Sequence, residues 1–286
     1  MRASSKLRAR LVAGESVLMP GVWDPWSALL ARRAGFHTVF LSGFALAGTL
    51  LGEPDIGIVN QSHMADAARR VCAMVSDIAV VVDADTGYGD ADAVRLTVDL
   101  WEEAGAAGMF LEDQVWPKRC GHMDGKEVVE RDEWLATLRT ALNARTDLHV
   151  TARTDALAVH GLAEAIERGR MARDLGVDAV FVEAPRSTAD LEAIARALPD
   201  VTLVANMVEK GKTPLLTPAE LAAIGFTLVV SPLSGLLSAT KALGDAYERL
   251  RAEGTMRGHL DLLTAFDDFT DLVGLPDHLA NDRRDR

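Results

Sequence analysis

The sequence predicts an α/β fold, a closed (β/α)8 TIM barrel, from three features of its apolar pattern. Short apolar runs of β type alternate with longer stretches of helical periodicity, as in chains whose helices connect the strands of a parallel sheet. Eight such runs occur, with starts about 20 to 41 residues apart, and no Pro/Ser-rich linker separates them. Eight alternations in one domain favour a closed barrel, and an open doubly wound sheet is the alternative.

The predicted strands are short and end in polar residues. They cover residues 17–20, 38–43, 79–85, 108–113, 149–155, 179–184, 202–207 and 227–232. Three glycines, Gly105, Gly176 and Gly225, stand where the C-terminal cap of a connecting helix is expected. Thr217 followed by Pro218 is typical of a helix N-terminus. These boundary signals support the alternation of strands and helices.

The 286 residues predict a single α/β-barrel domain, 1–286, with a helical extension from about residue 252. Two segments, 44–62 and 114–130, are longer than a barrel needs. They follow the second and fourth strands, at the end of a barrel where active sites lie. Long loops of this kind tend to be functional, so we expect both near the site. The residues after 252 suggest no chemistry, and residues 281–286 read as a frayed, charged end.

Composition indicates a soluble globular protein, with 49% hydrophobic and 25% charged residues. The formal net charge of −12 repels nucleic-acid phosphate and anionic membranes, so neither is an expected partner. The sequence contains neither an apolar run of about 18 residues nor a signal-peptide pattern. Two cysteines, Cys72 and Cys120, are too few for a disulfide framework, which favours a reducing cytoplasm.

The strongest functional signal is the polar residue set that closes the predicted strands. In a barrel these ends meet at one face, so their side chains should surround one site. Any single polar strand end could be a simple loop residue, but the whole set is harder to explain in that way. The set is Ser42, Asp83, Asp85, Glu112, Asp113, Arg153, Asp155, Glu183, Asn206 and Ser231.

Asp83, Asp85 and Glu112 predict a magnesium site, because clustered carboxylates repel one another unless a hard divalent cation binds them. Mg2+ keeps several waters and takes one or two carboxylates directly. We therefore expect Asp85 to bind the ion and the others to hold its water shell. The alternative is that Asp83 or Glu112 caps a helix or pairs with a lysine. A calcium loop starting at Asp83 is excluded because Val94 stands where glutamate is required.

The loop after the fourth strand carries Cys120 between Arg119 and His122, with Lys118 close by. A thiol among cations is acidified and reactive, which suits proton transfer or nucleophilic attack. The alternative is an incidental loop cysteine. Zinc binding is poorly supported, since Cys120 and His122 have unsuitable ligand spacing. Cys72 lies in a helical pattern and is interpreted as inert packing.

Five motifs in order resemble the phosphoenolpyruvate mutase/isocitrate lyase superfamily, over about residues 17–254. They are residues 83–89, 112–114, 118–122, 152–156 and 205–207. The Lys-Arg-Cys-Gly-His sequence at 118–122 resembles the carbon–carbon lyase branch, in which this cysteine lies on a loop that closes over the substrate. The resemblance implies an α/β barrel whose eighth helix is swapped between subunits. It also implies a homotetramer, a dimer of dimers.

The resemblance further implies a role for each matching residue. Asp85 would bind Mg2+, which Mn2+ could replace, with Asp55, Asp83 and Glu112 acting through its waters. Ser42 and Gly43 would donate to a substrate carboxylate, and Arg153 would contact the metal-bound 2-oxygen and carboxylate. Glu183 and Asn206 would line the far side of the pocket, with Phe44 shaping it. Cys120 would donate a proton beside His122. Glu112 and Arg153 complete the implied catalytic set.

The implied activity is cleavage of a 2-hydroxy dicarboxylate, of the 2-alkylmalate or methylisocitrate type, to a 2-keto acid and a carboxylate. Positive charge from the metal, Arg153, Lys118, Arg119 and Lys126 would offset the net charge of −12 for such a dianion. Oxaloacetate decarboxylation and carboxyphosphoenolpyruvate rearrangement are the enzymatic alternatives. A catalytically inactive homologue that binds a keto acid is the non-enzymatic one.

Overall fold

The first and last strands of the sheet pair with each other and close the barrel. In this computed structural model, which describes residues 3–121, 123 and 125–282, every strand is parallel to its two neighbours. Val17 in the first strand lies opposite Leu228 in the last. The strands are β1 Val17–Val22, β2 Thr38–Leu41, β3 Ala79–Asp83, β4 Gly108–Glu112, β5 His149–Thr154, β6 Ala179–Val182, β7 Thr202–Asn206 and β8 Phe226–Ser231. The predicted eight-stranded barrel is confirmed.

Helices connect the strands and surround the barrel. They are α1 Ala3–Val12, α2 Pro25–Arg33, α3 Gly43–Leu46, α4 Gln61–Met74, α5 Ala91–Ala104, α6 Arg131–Ala144, α7 Ala156–His160, α8 Leu162–Leu175, α9 Thr188–Ala197, α10 Pro218–Ile224, α11 Ser234–Glu253, α12 Phe266–Leu272 and α13 Leu275–Asp282. A π-helical turn, Ala47–Leu51, continues α3, and a short 3-10 helix, Leu260–Leu262, precedes α12. No helix in the described part of the chain is long and apolar enough to span a membrane.

The helix ends follow the boundary signals of the sequence. Gly105 ends α5 with φ 87°, a left-handed conformation that glycine adopts at little cost. At the start of α10 the Thr217 hydroxyl accepts the Glu220 N–H, and the Glu220 carboxylate accepts the Thr217 N–H in return. Several strands stop one or two residues earlier than predicted. For example, β3 ends before Asp85, because the φ of 43° at Asp85 is incompatible with extended backbone.

An apolar core fills the interior of the barrel. Phe40, Phe110 and Phe181 pack against one another across it, with ring centroids 4.8 Å apart for the first pair, which is tilted, and 5.6 Å for the second, which is edge-to-face. Leu7 of α1 is fully buried and joins the same cluster of side chains. The three rings also border the cavity at the carboxyl ends of the strands. They therefore form the apolar floor of the site described below.

A second apolar layer lies between the strands and the surrounding helices. Trp101 of α5 and Trp134 of α6 are among its largest fully buried side chains. The helix α11 differs, since none of its twenty residues is buried. Its exposed apolar residues include Leu243 and Tyr247. This helix therefore presents an apolar surface that the barrel of its own chain leaves uncovered.

Candidate active site

A cavity of about 50 Å³ lies at the carboxyl ends of the strands, above the three phenylalanine rings. Residues far apart in sequence line it together, as expected for a barrel site. Eight residues expected at the site border this one cavity. They are Ser42, Phe44, Asp55, Asp83, Cys120, Arg153, Glu183 and Asn206. The cysteine and the predicted metal-site carboxylates Asp55 and Asp83 thus face a common space.

The first wall of the cavity comes from β2 and β3. Ser42 is the N-cap of α3, and its Oγ accepts the Ala45 N–H at 3.3 Å. The Gly43 N–H donates to Asp83 Oδ2 at 3.3 Å. A Cβ at position 43 would lie 2.9 Å from that oxygen, so any larger residue would displace the Asp83 carboxylate. The Asp85 N–H donates to Asp83 Oδ1, also at 3.3 Å, which orients the Asp83 carboxylate.

The predicted metal carboxylates are joined by Lys118, a residue that the sequence suggested only as a source of charge. The Lys118 ammonium lies 2.5 Å from Asp55 Oδ1 and 2.9 Å from Asp85 Oδ1, and all three side chains are buried. The alternative prediction from the sequence is a lysine partner for Asp83 or Glu112. The structure instead places the lysine beside Asp55 and Asp85.

Burial makes this carboxylate cluster costly when it is charged. It raises the pKa of Asp85 to about 7, against the effect of Lys118, and the neighbouring Asp83 and Asp55 carboxylates raise it further. Burial also raises the pKa of Glu112 well above its usual range, although Arg153 opposes this change. Additional positive charge from a bound cation would therefore stabilise the ionised carboxylates of the cluster.

The residues present fit a magnesium ion that keeps most of its waters. Within the described residues, no group of three His, Cys, Asp or Glu side chains is arranged to hold a metal directly. One direct carboxylate with water-mediated neighbours is the coordination that Mg2+ commonly adopts. Glu112 Oε1 is buried and has no hydrogen-bond partner within the described part of the chain. Such an oxygen is suited to accept a hydrogen bond from a metal-bound water.

Arg153 of β5 is held by carboxylates on three sides. Its guanidinium lies 3.3 Å from Glu112 Oε2, 3.0 Å from Asp155 Oδ2 and 3.2 Å from Glu183 Oε2. The Asn206 amide donates to both oxygens of Glu183 at 3.3 Å. Burial opposes the charge on Arg153, but Asp155, Glu112 and Glu183 raise its pKa well above the usual range. Arg153 therefore remains a fixed cation in the cavity wall.

The loop between β4 and α6 brings Cys120 to the cavity. A single bridge between Gln114 and Val128 joins the two ends of the loop, and the Gln114 side chain binds the backbone of Arg119 in both directions at 2.9 Å. The Cys120 N–H donates to the Asp55 carbonyl oxygen at 3.2 Å. Cys120 is therefore held beside the backbone of Asp55. His122, expected next to it, lies outside the described residues.

Two strand-end residues have roles away from the cavity. Asp113 accepts hydrogen bonds from the Thr154 hydroxyl at 2.6 Å and from Arg168 at 3.1 Å, so it ties β5 to α8. Ser231 forms a hydrogen bond with the Ser234 hydroxyl at 2.5 Å.

Cys72 is buried in α4, and burial raises the pKa of its thiol to about 12, in agreement with a packing role. The sequence pattern did not predict the buried contacts of Lys118 and Lys126, because these contacts depend on the path of the loop between β4 and α6.

The fold and this site define a class, the (β/α)8-barrel enzymes with a polar, carboxylate-rich site at the carboxyl ends of the strands. The chain belongs to the phosphoenolpyruvate phosphomutase family, which matches residues 7–251. It is an enzyme of the isocitrate lyase/PEP mutase superfamily. The resemblance read from the five motifs is thus confirmed.

Relatives with different named activities resemble the chain about equally. It is 44% identical to the chloroplastic carboxyvinyl-carboxyphosphonate phosphorylmutase of Arabidopsis thaliana, over 91% of this chain and 78% of the relative. It is 38% identical to 2,3-dimethylmalate lyase of Eubacterium barkeri, over 96% and 95%. A crystal structure of 2,3-dimethylmalate lyase superposes with a TM-score of 0.94 at 34% identity, over 99% of this chain and 95% of that one. Oxaloacetate acetylhydrolase, in complex with 3,3-difluorooxalacetate, gives 0.92 at 36% identity, over 98% and 96%.

Proposed function

We propose that the protein is a Mg2+-dependent lyase that cleaves the C2–C3 bond of a 2-hydroxy dicarboxylate. The products are a 2-keto acid and a carboxylate, and the preferred substrates are 2-alkylmalates. The observation that carries this proposal is that Cys120, Arg153, Asp55 and Asp83 border one small cavity. Relatives named 2,3-dimethylmalate lyase and 2-methylisocitrate lyase support the same reaction class.

Asp85 would hold the metal directly, and Asp55, Asp83 and Glu112 would hold its waters. Mn2+ could replace Mg2+, since both prefer oxygen ligands. When bound, the ion supplies positive charge that stabilises the negative charge developed during cleavage.

Arg153 and the start of α3 would bind the substrate. The guanidinium is buried, charged and oriented by Glu183 and Asp155, so it can neutralise a substrate carboxylate without first reorganising. Ser42 borders the same cavity, and Ser42 and Gly43 would donate to a substrate carboxylate. Phe40, Phe110 and Phe181 close the cavity from below, which excludes water from the reacting carbon.

The proton steps would use two groups, Glu112 and Cys120. Burial raises the pKa of Glu112, and a cation bound nearby would lower it again; in its ionised form Glu112, whose Oε1 has no hydrogen-bond partner among the described residues, would take the proton of the 2-hydroxyl group. The C2–C3 bond then breaks, C2 becomes the keto carbon, and the bonding electrons remain on C3. Cys120 would protonate C3 and thereby release the second carboxylate. His122 beside Cys120 remains a prediction.

The proposed assembly is a homotetramer of two dimers in which α11 is swapped between subunits. The support is the helix itself, because none of its residues is buried against its own barrel. An apolar surface of this kind is usually covered in an oligomer. A molar mass from light scattering that equals one chain would contradict this assembly. The proposed compartment is the cytoplasm.

The function is tested by measuring keto-acid release from a panel of 2-alkylmalates, methylisocitrate and oxaloacetate with magnesium present. Release from at least one 2-hydroxy dicarboxylate is expected, and it should be lost in Cys120→Ala. Oxaloacetate decarboxylation that survives in Cys120→Ala would assign that activity to the metal site alone. Oxalate binding by calorimetry, with no turnover of any compound, would indicate an inactive homologue.

Carboxyphosphoenolpyruvate rearrangement is the second candidate, favoured by the 44% identity to the Arabidopsis phosphorylmutase. Phosphorus NMR distinguishes it, because a new carbon–phosphorus bond has a characteristic chemical shift. A phosphonate product, with no cleavage of any malate, would replace the lyase proposal.

A further inference from the structure

Lys126 is a buried cation that the proposed reaction does not use. It lies in the loop between β4 and α6, and only 1% of its side chain is exposed. Its ammonium group lies 2.7 Å from Asp155 Oδ1 and also donates to the carbonyl oxygen of Gly121. A buried ammonium group is costly unless it is paired, so these two contacts stabilise the loop in this position.

Asp155 is shared between Lys126 and Arg153. The Arg153 Nε donates to Asp155 Oδ2 at 3.0 Å, and its Nη2 lies 3.3 Å from Oδ1, the oxygen that Lys126 contacts. Asp155 itself is fixed, because its N–H donates to Asp113 Oδ1 at 2.8 Å. One immobile carboxylate therefore holds a cation from the loop and a cation from the barrel.

The second contact of Lys126 reaches the residue after Cys120. The Gly121 backbone lies directly against the site, since a Cβ at this position would be 2.6 Å from Arg153 Nη2 and 2.6 Å from the Glu183 side chain. The hydrogen bond from Lys126 to the Gly121 carbonyl oxygen keeps the backbone in this close approach. Lys126 thus connects the loop segment that carries Cys120 with Asp155, which follows β5 in the barrel.

We propose that Lys126 is a positioning residue that couples the placement of Cys120 on the loop to the orientation of Arg153 in the barrel. This inference rests on the proposed function for the roles of Cys120 and Arg153. A neutral side chain at 126 leaves Asp155 Oδ1 to Arg153 alone. The guanidinium then forms a fully bidentate pair with Asp155 and turns away from Glu183. Gly121 also loses its partner, so the segment that carries Cys120 leaves the cavity more readily.

The test compares Lys126→Met with Lys126→Arg, which keeps the positive charge. Lys6→Met is the matched control, because Lys6 makes a single exposed contact, to the Asp77 carbonyl oxygen, and lies outside the cavity. We expect Lys126→Met to raise KM and to lower kcat by about 100-fold, the usual effect of a small misplacement of reacting groups. Lys126→Arg should recover most of this loss, and Lys6→Met should match the unmodified enzyme.

A second readout does not depend on turnover. The rate at which iodoacetamide alkylates Cys120, followed by mass spectrometry, should rise about tenfold in Lys126→Met, since the loop opens more often. Cys72 is buried and serves as the internal reference. An unchanged alkylation rate would overturn the proposal whatever the kinetics show. If Lys126→Met does not fold, Lys126→Ala, which also removes both the charge and the donor to Gly121, provides the same comparison. If no substrate is turned over, the proposed function fails while the alkylation result still decides the role of Lys126.

Discussion

The ammonium of Lys118 lies 2.9 Å from the carboxylate of Asp85, inside the site proposed for magnesium. A lysine of the cysteine loop therefore compensates part of the charge of carboxylates that follow β2 and β3. Because the lysine and Cys120 are two residues apart in sequence, the position of the cysteine is linked to the charge state of the cluster.

Replacing Lys118 by Met should destabilise the protein. The change removes the cation from a buried group of carboxylates, and breaking such a pair costs about 3–5 kcal/mol. Added Mg2+ should restore part of the loss, because it supplies the missing charge. Urea unfolding with and without Mg2+ measures both effects. Lys6→Met is the control, because it removes a lysine whose contact, to the Asp77 carbonyl oxygen, is exposed. Equal stability of both variants would contradict the assigned role.

Replacing Asp85 by Asn should abolish Mg2+ binding and keto-acid release together. Asparagine has nearly the same shape but lacks the charge that holds the ion. Isothermal calorimetry with MgCl2 measures the first effect and the coupled assay the second. Asp200→Asn, at an exposed loop position, should behave like the unmodified protein. Activity retained by Asp85→Asn without metal would remove the proposed mechanism.

His149 should make the protein sensitive to acid. Burial lowers the pKa of this histidine from 6.5 to about 4, with Arg8 and Arg145 adding to the effect and Asp178 opposing it. Below about pH 6.5 His149 is therefore protonated in the unfolded state but stays neutral in the folded state. The free energy of unfolding falls as the pH falls from 6.5 towards 4.

The difference amounts to about 2 kcal/mol of unfolding free energy between pH 7 and pH 5. Urea unfolding at these two pH values measures it. In His149→Gln this part of the pH dependence should disappear. A variant with the same pH dependence as the unmodified protein would exclude His149 as its source.

Replacing Gly121 by Ala should disable the site without unfolding the barrel. The added Cβ would lie 2.6 Å from Arg153 Nη2 and from Glu183, so the loop or the guanidinium must move. We expect a loss of kcat/KM on the order of 100-fold. Gly48→Ala is the matched control, because nothing lies within 4 Å of its Cβ. Melting temperatures close to that of the unmodified protein would separate the local effect from unfolding.

The barrel and most of its site could be predicted because they follow from local pattern. Alternating apolar runs indicated the strands, and the polar residues that end them, such as Asp83 and Arg153, meet wherever eight parallel strands close. Strand ends were less well predicted, since the left-handed backbone at Asp85 gives no apolar signal. Asp55 was assigned only through the family resemblance, because it lies in a loop without periodicity.

The lysine contacts could not be predicted from pattern. Lys118 and Asp55 are 63 residues apart, and the pair forms only because two long loops approach over the barrel. The same holds for Lys126 and Asp155, which are 29 residues apart. The sequence pattern also does not indicate which strand-end carboxylates face the cavity. Asp113, for example, pairs with Arg168, because this buried arginine of α8 lies within reach.

The packed rings of Phe40, Phe110 and Phe181 have a stereochemical consequence. They close the barrel beneath the cavity, so in the proposed reaction the proton delivered to C3 would arrive from the loop side alone. A substrate with two different groups at C3, cleaved in deuterium oxide, should therefore yield a carboxylate of single handedness at the labelled carbon. A racemic product would mean that solvent reaches both faces of the carbanion.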